Sequence, residues 1–301
     1  MSRLVVVGSS NTDLVVQVPA IPAPGETVLG DAVRVIPGGK GANQAVAAAR
    51  LGAQVCFIGC IGTDSFGEAA VENLTQEGID TRYVVRTAEH PSGVALIAVS
   101  PYGENAIVVA PGANMHLRPE HVERAEPAIA QADAVIAQSE IPMDTVATAA
   151  QLARRHGVPF ILNPAPACLL APDLMQMVTV LIPNETEARQ LIGVGGEVDE
   201  EAVLRMLLER GCAQGVITLG ARGAIYNAEG TIHRQPALPV QAVDTTAAGD
   251  AFVAGFTVAL TEGRSIHEAV QFGQRVAAIA VTRWGAQPSL PTREEVEQLP
   301  L

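Results

Sequence analysis

Val243-Asp244-Thr245-Thr246-Ala247-Ala248-Gly249-Asp250-Ala251-Phe252 is the stretch on which the rest of the chain turns. Asp244, Thr245 and Thr246 are residue types that cap helix N-termini, and the small apolar run 247–260 reads as the helix they would start. The first turn of a helix leaves backbone N–H groups unpaired and carries partial positive charge. Ala247, Ala248 and Gly249 bring almost no side chain there, so an anion such as a transferring phosphoryl group could approach the backbone. Asp250 falls in the same turn, where it could take a proton from an alcohol beside that anion. An ordinary capped helix with an acidic first turn has the same spacing. The residues alone leave both readings open.

Outward from this stretch the chain alternates strand and helix. The apolar runs 3–7, 54–58, 134–137, 159–162, 178–182 and 214–219 read as buried strands. Helical patterns cover 42–51, 65–76, 119–131, 144–156 and roughly 265–282. The alternation predicts an α/β fold: a mainly parallel central sheet with helices on both faces. Two further pairs, 14–18 with 27–36 and 93–99 with 105–110, alternate weakly and read as exposed strands. A turn at Pro101-Tyr102-Gly103-Glu104 joins the second pair. Four such strands could form a small sheet over the site, or be surface hairpins without function. The whole chain, 1–301, reads as one domain with insertions at about 14–36 and 92–110.

Ligands of open α/β sheets bind at the carboxyl ends of the strands. The loop Gly8-Ser9-Ser10-Asn11-Thr12-Asp13 follows the first strand and places Asp13 for a polar ligand, although a turn aspartate capping its own loop reads the same way. Glu140 follows the strand 134–137 on that rim, or caps the helix after it. Asn184 and Glu187 stand three residues apart at a helix start. They could order a hydrated Mg²⁺ near phosphates, or form a plain capped start. Gly220-Ala221-Arg222-Gly223 is a flexible loop suited to a nucleotide. Gly38-Gly39-Lys40-Gly41 allows close backbone approach to a ligand. It is not a P-loop, because position 34 is Arg and position 41 is Gly. It is not a dinucleotide fingerprint either, because position 44 is Gln.

Together, Gly38-Gly39-Lys40-Gly41-Ala42-Asn43-Gln44-Ala45 and the run Asp244 to Asp250 resemble the two signatures of the PfkB-type carbohydrate kinases. Pro111-Gly112-Ala113-Asn114, Asn163-Pro164-Ala165-Pro166, Asn184-Glu185-Thr186-Glu187 and Thr218-Leu219-Gly220 agree with them in order, and the resemblance spans essentially the whole chain. It implies ATP-dependent phosphorylation of a sugar hydroxyl, D-ribose at its 5-hydroxyl first, with a lid that often serves as a homodimer interface. It implies Asp250 as general base, with Ala247, Ala248 and Gly249 as anion hole. Asn11, Asp13, Gly39, Lys40, Gly41, Asn43 and Glu140 would meet the sugar. Asn184, Thr218, Gly220, Gly223, Gly249 and Gln274 would meet the nucleotide, although Gln274 stands where the family commonly has Asn or His. Asn184 and Glu187 would lie by Mg²⁺. Asp244, Thr246, Ala280, Arg283, Gly285 and Ser289 would hold K⁺, mostly by backbone carbonyls. Trp284 stands where a basic residue is frequent.

A kinase of the same fold for deoxyribose, fructose or adenosine, or a silent sugar- or nucleotide-binding regulator, fits the same motifs. A dinucleotide oxidoreductase shares only the α/β rhythm. With 301 residues, 48% of them hydrophobic, the chain can build a large core, and at 3% aromatics that core must be aliphatic. A formal net charge of −13 argues against nucleic acid or an anionic membrane as partner. No secretory signal or transmembrane pattern is visible. Cys56 and Cys60 would sit about 13 Å apart along a strand, too far to bridge. With Cys168 and Cys212 they read as free thiols in a cytoplasmic protein.

Overall fold

The computed structural model describes residues 1–101, 104–196 and 198–299. Fourteen strands are found among them: β1 (Arg3–Val7), β2 (Asn11–Gln17), β3 (Arg34–Gly38), β4 (Gln54–Ile58), β5 (Cys60–Gly62), β6 (Val85–Thr87), β7 (Gly93–Val99), β8 (Asn105–Ala110), β9 (Ala134–Gln138), β10 (Phe160–Asn163), β11 (Val180–Leu181), β12 (Gln214–Thr218), β13 (Ala224–Ala228) and β14 (Thr231–Gln235). Eight make the central sheet in the order β14-β13-β12-β11-β10-β9-β1-β4. Neighbours from β4 across to β12 run parallel, and the last two pairings are antiparallel.

The continuous apolar runs follow from burial on both faces. In β1, Leu4 and Val6 enter the core layer that contains Val46, Phe252, Phe256 and Val276, whereas Val5 and Val7 enter the layer of Val146, Leu152, Leu204 and Leu207. Side chains alternate along a strand, so both sets must be apolar. The helices Lys40–Arg50, Ala248–Thr261 and Ile266–Ala280 cover the first face. Met143–Arg155, Glu185–Ile192 and Glu200–Glu209 cover the other.

A separate four-stranded sheet has the order β3-β2-β7-β8. The expected strands at 93–99 and 105–110 are β7 and β8. Ser100 N–H donates to the Glu104 carbonyl at 2.8 Å, while Tyr102 and Gly103 of the expected turn lie outside the described residues. The expected strand at 27–36 is only Arg34–Gly38. The prolines and glycines from 19 to 30 keep the preceding segment off the sheet. β2 begins at Asn11, earlier than expected, so Asn11 and Asp13 lie on a strand and not in a loop. Asn11 pairs there with a glycine on each side, Gly38 and Gly93.

The helix expected over 119–131 is two short ones, Pro119–Arg124 and Glu126–Ile129. Pro127 has no N–H to continue the first helix.

Candidate active site

The helix at the centre of the site, Ala248–Thr261, starts differently from its sequence expectation. Ala247 is its N-cap, at φ 59°, ψ 9°, in the left-handed region, and no side chain caps it. Asp244 ties the preceding loop instead. Its Oδ1 accepts from the Thr246 N–H (2.9 Å) and Oγ1 (2.6 Å), and its Oδ2 accepts from the Gly285 N–H (2.9 Å). Ala248 N–H donates to the Thr245 carbonyl at 3.2 Å. The N–H groups of Ala247, Gly249 and Asp250 have no acceptor among the described residues. The donors left free in this turn are therefore those three, with Ala248 engaged in the turn itself.

Asp250 is 5% exposed. Asn43 Nδ2 donates to its Oδ2, and Gln44 Nε2 to its Oδ1, each at 2.9 Å. Both donors come from the glycine-loop helix two hundred residues away in sequence. A cavity of about 170 Å³ opens here, lined by Lys40, Asn184, Glu187, Thr218 and the turn from Ala247 to Asp250. It adjoins a second cavity of about 330 Å³, with Thr245 in both walls. Asp13, Val15, Ile36 and Ile97 of the small sheet roof the second cavity, and Asp244 and the half-exposed Trp284 wall it.

The rim gathers charge. Glu140 Oε2 accepts from Ser9 Oγ (2.5 Å) and from the Lys40 N–H (3.0 Å). Glu140 therefore braces the glycine loop and does not cap the helix after it, which starts from Pro142. Burial raises Asp13 to about 7, and the charges of Glu140 and Asp250 push the same way. Burial works against the Lys40 ammonium, but Asp250, Glu140 and Glu187 together hold its pKa above the ordinary lysine value. Burial also raises Glu187, against the Asn184 N–H and Lys40. These shifts require that residues from five separate parts of the chain face one another.

Gly38 makes room for Asp13. A Cβ at position 38 would stand 2.3 Å from Asp13 Oδ2 and 2.5 Å from Oδ1. Gly38→Ala should displace that carboxylate while leaving the backbone in place. The loss of a charged acceptor is worth roughly 1.5–3 kcal/mol, so the KM for a substrate whose hydroxyls donate to that carboxylate should rise about tenfold or more with kcat nearly unchanged. Steady-state kinetics at saturating co-substrate check this.

Other expected residues are placed less directly. Asn11 Oδ1 accepts from Asn114 Nδ2 at 2.7 Å, and Asn11 lines a third cavity with Phe66 and Gln287. Gly41 lies against the Gly8–Ser9 backbone, 2.6 Å from Ser9 N to an added Cβ. Gly223, at φ 97°, approaches the Gln235 carbonyl, and Gln274 Nε2 donates to that same carbonyl at 3.0 Å. Both close the end of the β13–β14 hairpin. Gly220 has open space beside it.

Asn184 and Glu187 form a reciprocal capping box: Asn184 N–H donates to Glu187 Oε2, and Glu187 N–H to Asn184 Oδ1, each at 2.8 Å. Asn184 is thus the cap itself. Glu187 keeps Oε1 free of protein partners among the described residues, which suits a hydrated divalent cation beside phosphates. At the Asp244–Gly285 loop, the carbonyls of Asp244, Thr246, Arg283 and Gly285 accept no hydrogen bond among the described residues. With the Asp244 carboxylate they are the hard oxygen set that a monovalent cation needs. The Ala280 carbonyl accepts from Arg283 N–H, and Ser289 Oγ donates to the Ala286 carbonyl at 2.7 Å.

Three polar residues of the site received no role from sequence: Gln44, Gln138 and Asn163, all buried, with Gln44 bonded to Asp250 and the other two bonded to Gln44. Their signal was a glutamine inside an alanine-rich helix and polar residues ending apolar strands.

Residues 1–293 match the model of the pfkB family carbohydrate kinases, and the chain belongs to that family. It is 47% identical over 294 residues to a ribokinase of Haemophilus influenzae, covering 97% of this chain and 96% of that protein. A ribokinase of Bacillus subtilis is 43% identical over 299 residues, with 99% of each covered. Among solved structures, the Arabidopsis thaliana ribokinase complexed with ribose and ATP matches with a TM-score of 0.91 at 34% identity, covering 99% of this chain and 98% of that one.

Proposed function

We propose that this protein is a ribokinase, transferring the γ-phosphoryl group of ATP to the 5-hydroxyl of D-ribose. The observation that carries the reading is Asp250: a buried carboxylate in the same helix turn as three unpaired N–H groups. The names of the relatives supply the sugar. Asp13, Asn43 and Glu140, with the Gly39–Gly41 backbone, orient the ribose hydroxyls. Asn43 Oδ1 is buried without a protein partner, so it is ready to accept from one of them. Asp250 takes the 5-hydroxyl proton as that oxygen meets phosphorus. The N–H groups of Ala247, Gly249 and Asp250, with Lys40, hold the charge on the transferring group. Positioning and electrostatics carry most of the catalysis in such a transfer. Thr218, Gly220 and Gln274 border the nucleotide.

Mg²⁺ beside Glu187 and Asn184 would neutralise phosphate charge. K⁺ on the loop from Asp244 to Ser289 would stiffen the turn that presents Ala247. We read residues 1–301 as one kinase domain with lid insertions at about 14–36 and 92–110. The outer row Val35-Leu14-Leu96-Val108 crosses the small sheet, with three of its members more than half exposed, which supports a homodimer formed through the lid. Four free cysteines suit the cytoplasm. No helix among the described residues is long and apolar enough to cross a membrane.

The test is ADP release with Mg-ATP over ribose, deoxyribose, fructose and adenosine, with and without K⁺. Ribose should give the highest kcat/KM, and K⁺ should raise it several-fold. Faster turnover of another acceptor would overturn the ribose assignment. Absence of turnover on every acceptor would favour a binding regulator.

A further inference from the structure

Gln44 is fully buried in the helix Lys40–Arg50, among alanines and Val46. Its Nε2 donates to Asp250 Oδ1 (2.9 Å) and to Asn163 Oδ1 (3.0 Å), and its Oε1 accepts from Gln138 Nε2 (2.6 Å). Asn163 Nδ2 donates in turn to the Ile182 carbonyl at 2.8 Å. A backbone carbonyl can only accept. That orients each amide in sequence. Asn163 must turn its NH₂ to Ile182 and hence its oxygen to Gln44. Gln44 must then turn its NH₂ to Asn163 and its oxygen to Gln138, which presents a donor. The group that reaches Asp250 Oδ1 is therefore fixed as a donor. Asn43, on Oδ2, is not fixed in this way, because its own Oδ1 has no protein partner and its amide can turn over.

We propose that Gln44 is the positioning residue of the base: the chain from Ile182 through Asn163, Gln44 and Gln138 keeps Asp250 Oδ1 a permanent acceptor and assigns proton capture to Oδ2. This rests on the kinase reading only in taking Asp250 as the base. The hydroxyl proton passes to Oδ2 as the sugar oxygen bonds to the γ-phosphorus. The bond from that phosphorus to its bridging oxygen breaks, and the electron pair leaves with ADP. Asn43 then turns over, its Oδ1 toward the new O–H and its NH₂ toward the sugar hydroxyl, which can accept as well as donate.

The test is a set of double-mutant cycles on the full chain. Gln44→Leu should lower kcat about 10- to 100-fold, with the KM values for ribose and ATP within about threefold, because misplacing a base costs rate more than affinity. In an Asp250→Asn background the same change should alter kcat less than about twofold, since nothing remains for Gln44 to position. Gln138→Met lines none of the three cavities around the site and removes an Oε1 that is already unpartnered. It should lower kcat about three- to tenfold in the parent, and leave the Asp250→Asn background unchanged. It decides the matter if Gln44→Leu fails to fold. Equal losses in both backgrounds, or a raised KM with kcat preserved, would overturn the proposal. If the parent used another sugar, the ribose reading would fall, and the same cycles run on that sugar would still judge Gln44.

Discussion

Asp250→Asn should lower kcat by about 10³ and leave the KM values for ribose and ATP within a few-fold, a size within the range for removing a positioned general base. The fold should survive, for a local reason. The carboxylate accepts from two amides, Asn43 Nδ2 and Gln44 Nε2. An amide at position 250 keeps one acceptor, which Gln44 requires, and turns its NH₂ toward Asn43. Asn43 can answer by turning over, because its Oδ1 is the unpartnered atom. The hydrogen bonds are thus rearranged rather than lost, and only the proton acceptor for the sugar hydroxyl is gone. Binding should persist by heat protection with ribose. A kcat within tenfold of the parent would mean that Asp250 is not the base, and that charge stabilisation at the helix start carries the reaction alone.

The fold was legible because its strands are buried on both faces. Runs such as Leu4-Val5-Val6-Val7 have no polar face to blur their reading, and their carboxyl ends fixed the rim that carries Asp13 and Glu140. The start of the central helix was not legible in the same way. Asp244, Thr245 and Thr246 are all capping types, but Ala247 makes the cap through a left-handed backbone that alanine rarely adopts. No side-chain pattern announces such a cap. Strain of this kind persists where the surroundings hold it, here the Asp244 bonds to Thr246 and Gly285. Asn184 and Glu187 were legible as a pair, yet the same spacing serves a capping box and a cation, and the structure shows them bonded to each other. The amide chain behind Asp250 depends on which residues meet across 119 positions, from Gln44 to Asn163, and no local spacing encodes that.

Ribose binding should strengthen steeply as pH rises toward about 7 and level off above it, and Asp13→Asn should abolish that dependence. Burial, then Glu140 and Asp250, raise Asp13 from 3.8 to about 7. Between those values the folded protein holds a proton that the unfolded chain has released. The unliganded fold therefore loses stability as pH rises through this window, the reverse of a salt-bridged aspartate. Sugar binding draws the other way. A carboxylate accepts bonds from two hydroxyls, a neutral carboxyl from fewer, so ribose favours the charged form and binding expels a proton. Below about 7 the apparent affinity should fall up to tenfold per pH unit. The ratio of kcat/KM between the parent and Asp13→Asn cancels every group common to both. It should reach about 10² at pH 8, from one or two charge-assisted bonds, fall to a few-fold near pH 5.5, and approach unity below about pH 5, where the parent's carboxyl is itself neutral. Calorimetry in buffers of different ionisation heat should register the released proton near pH 6 in the parent and none in the variant. A ratio that stays constant with pH would place Asp13 outside the sugar contacts and make its raised pKa a consequence of burial alone.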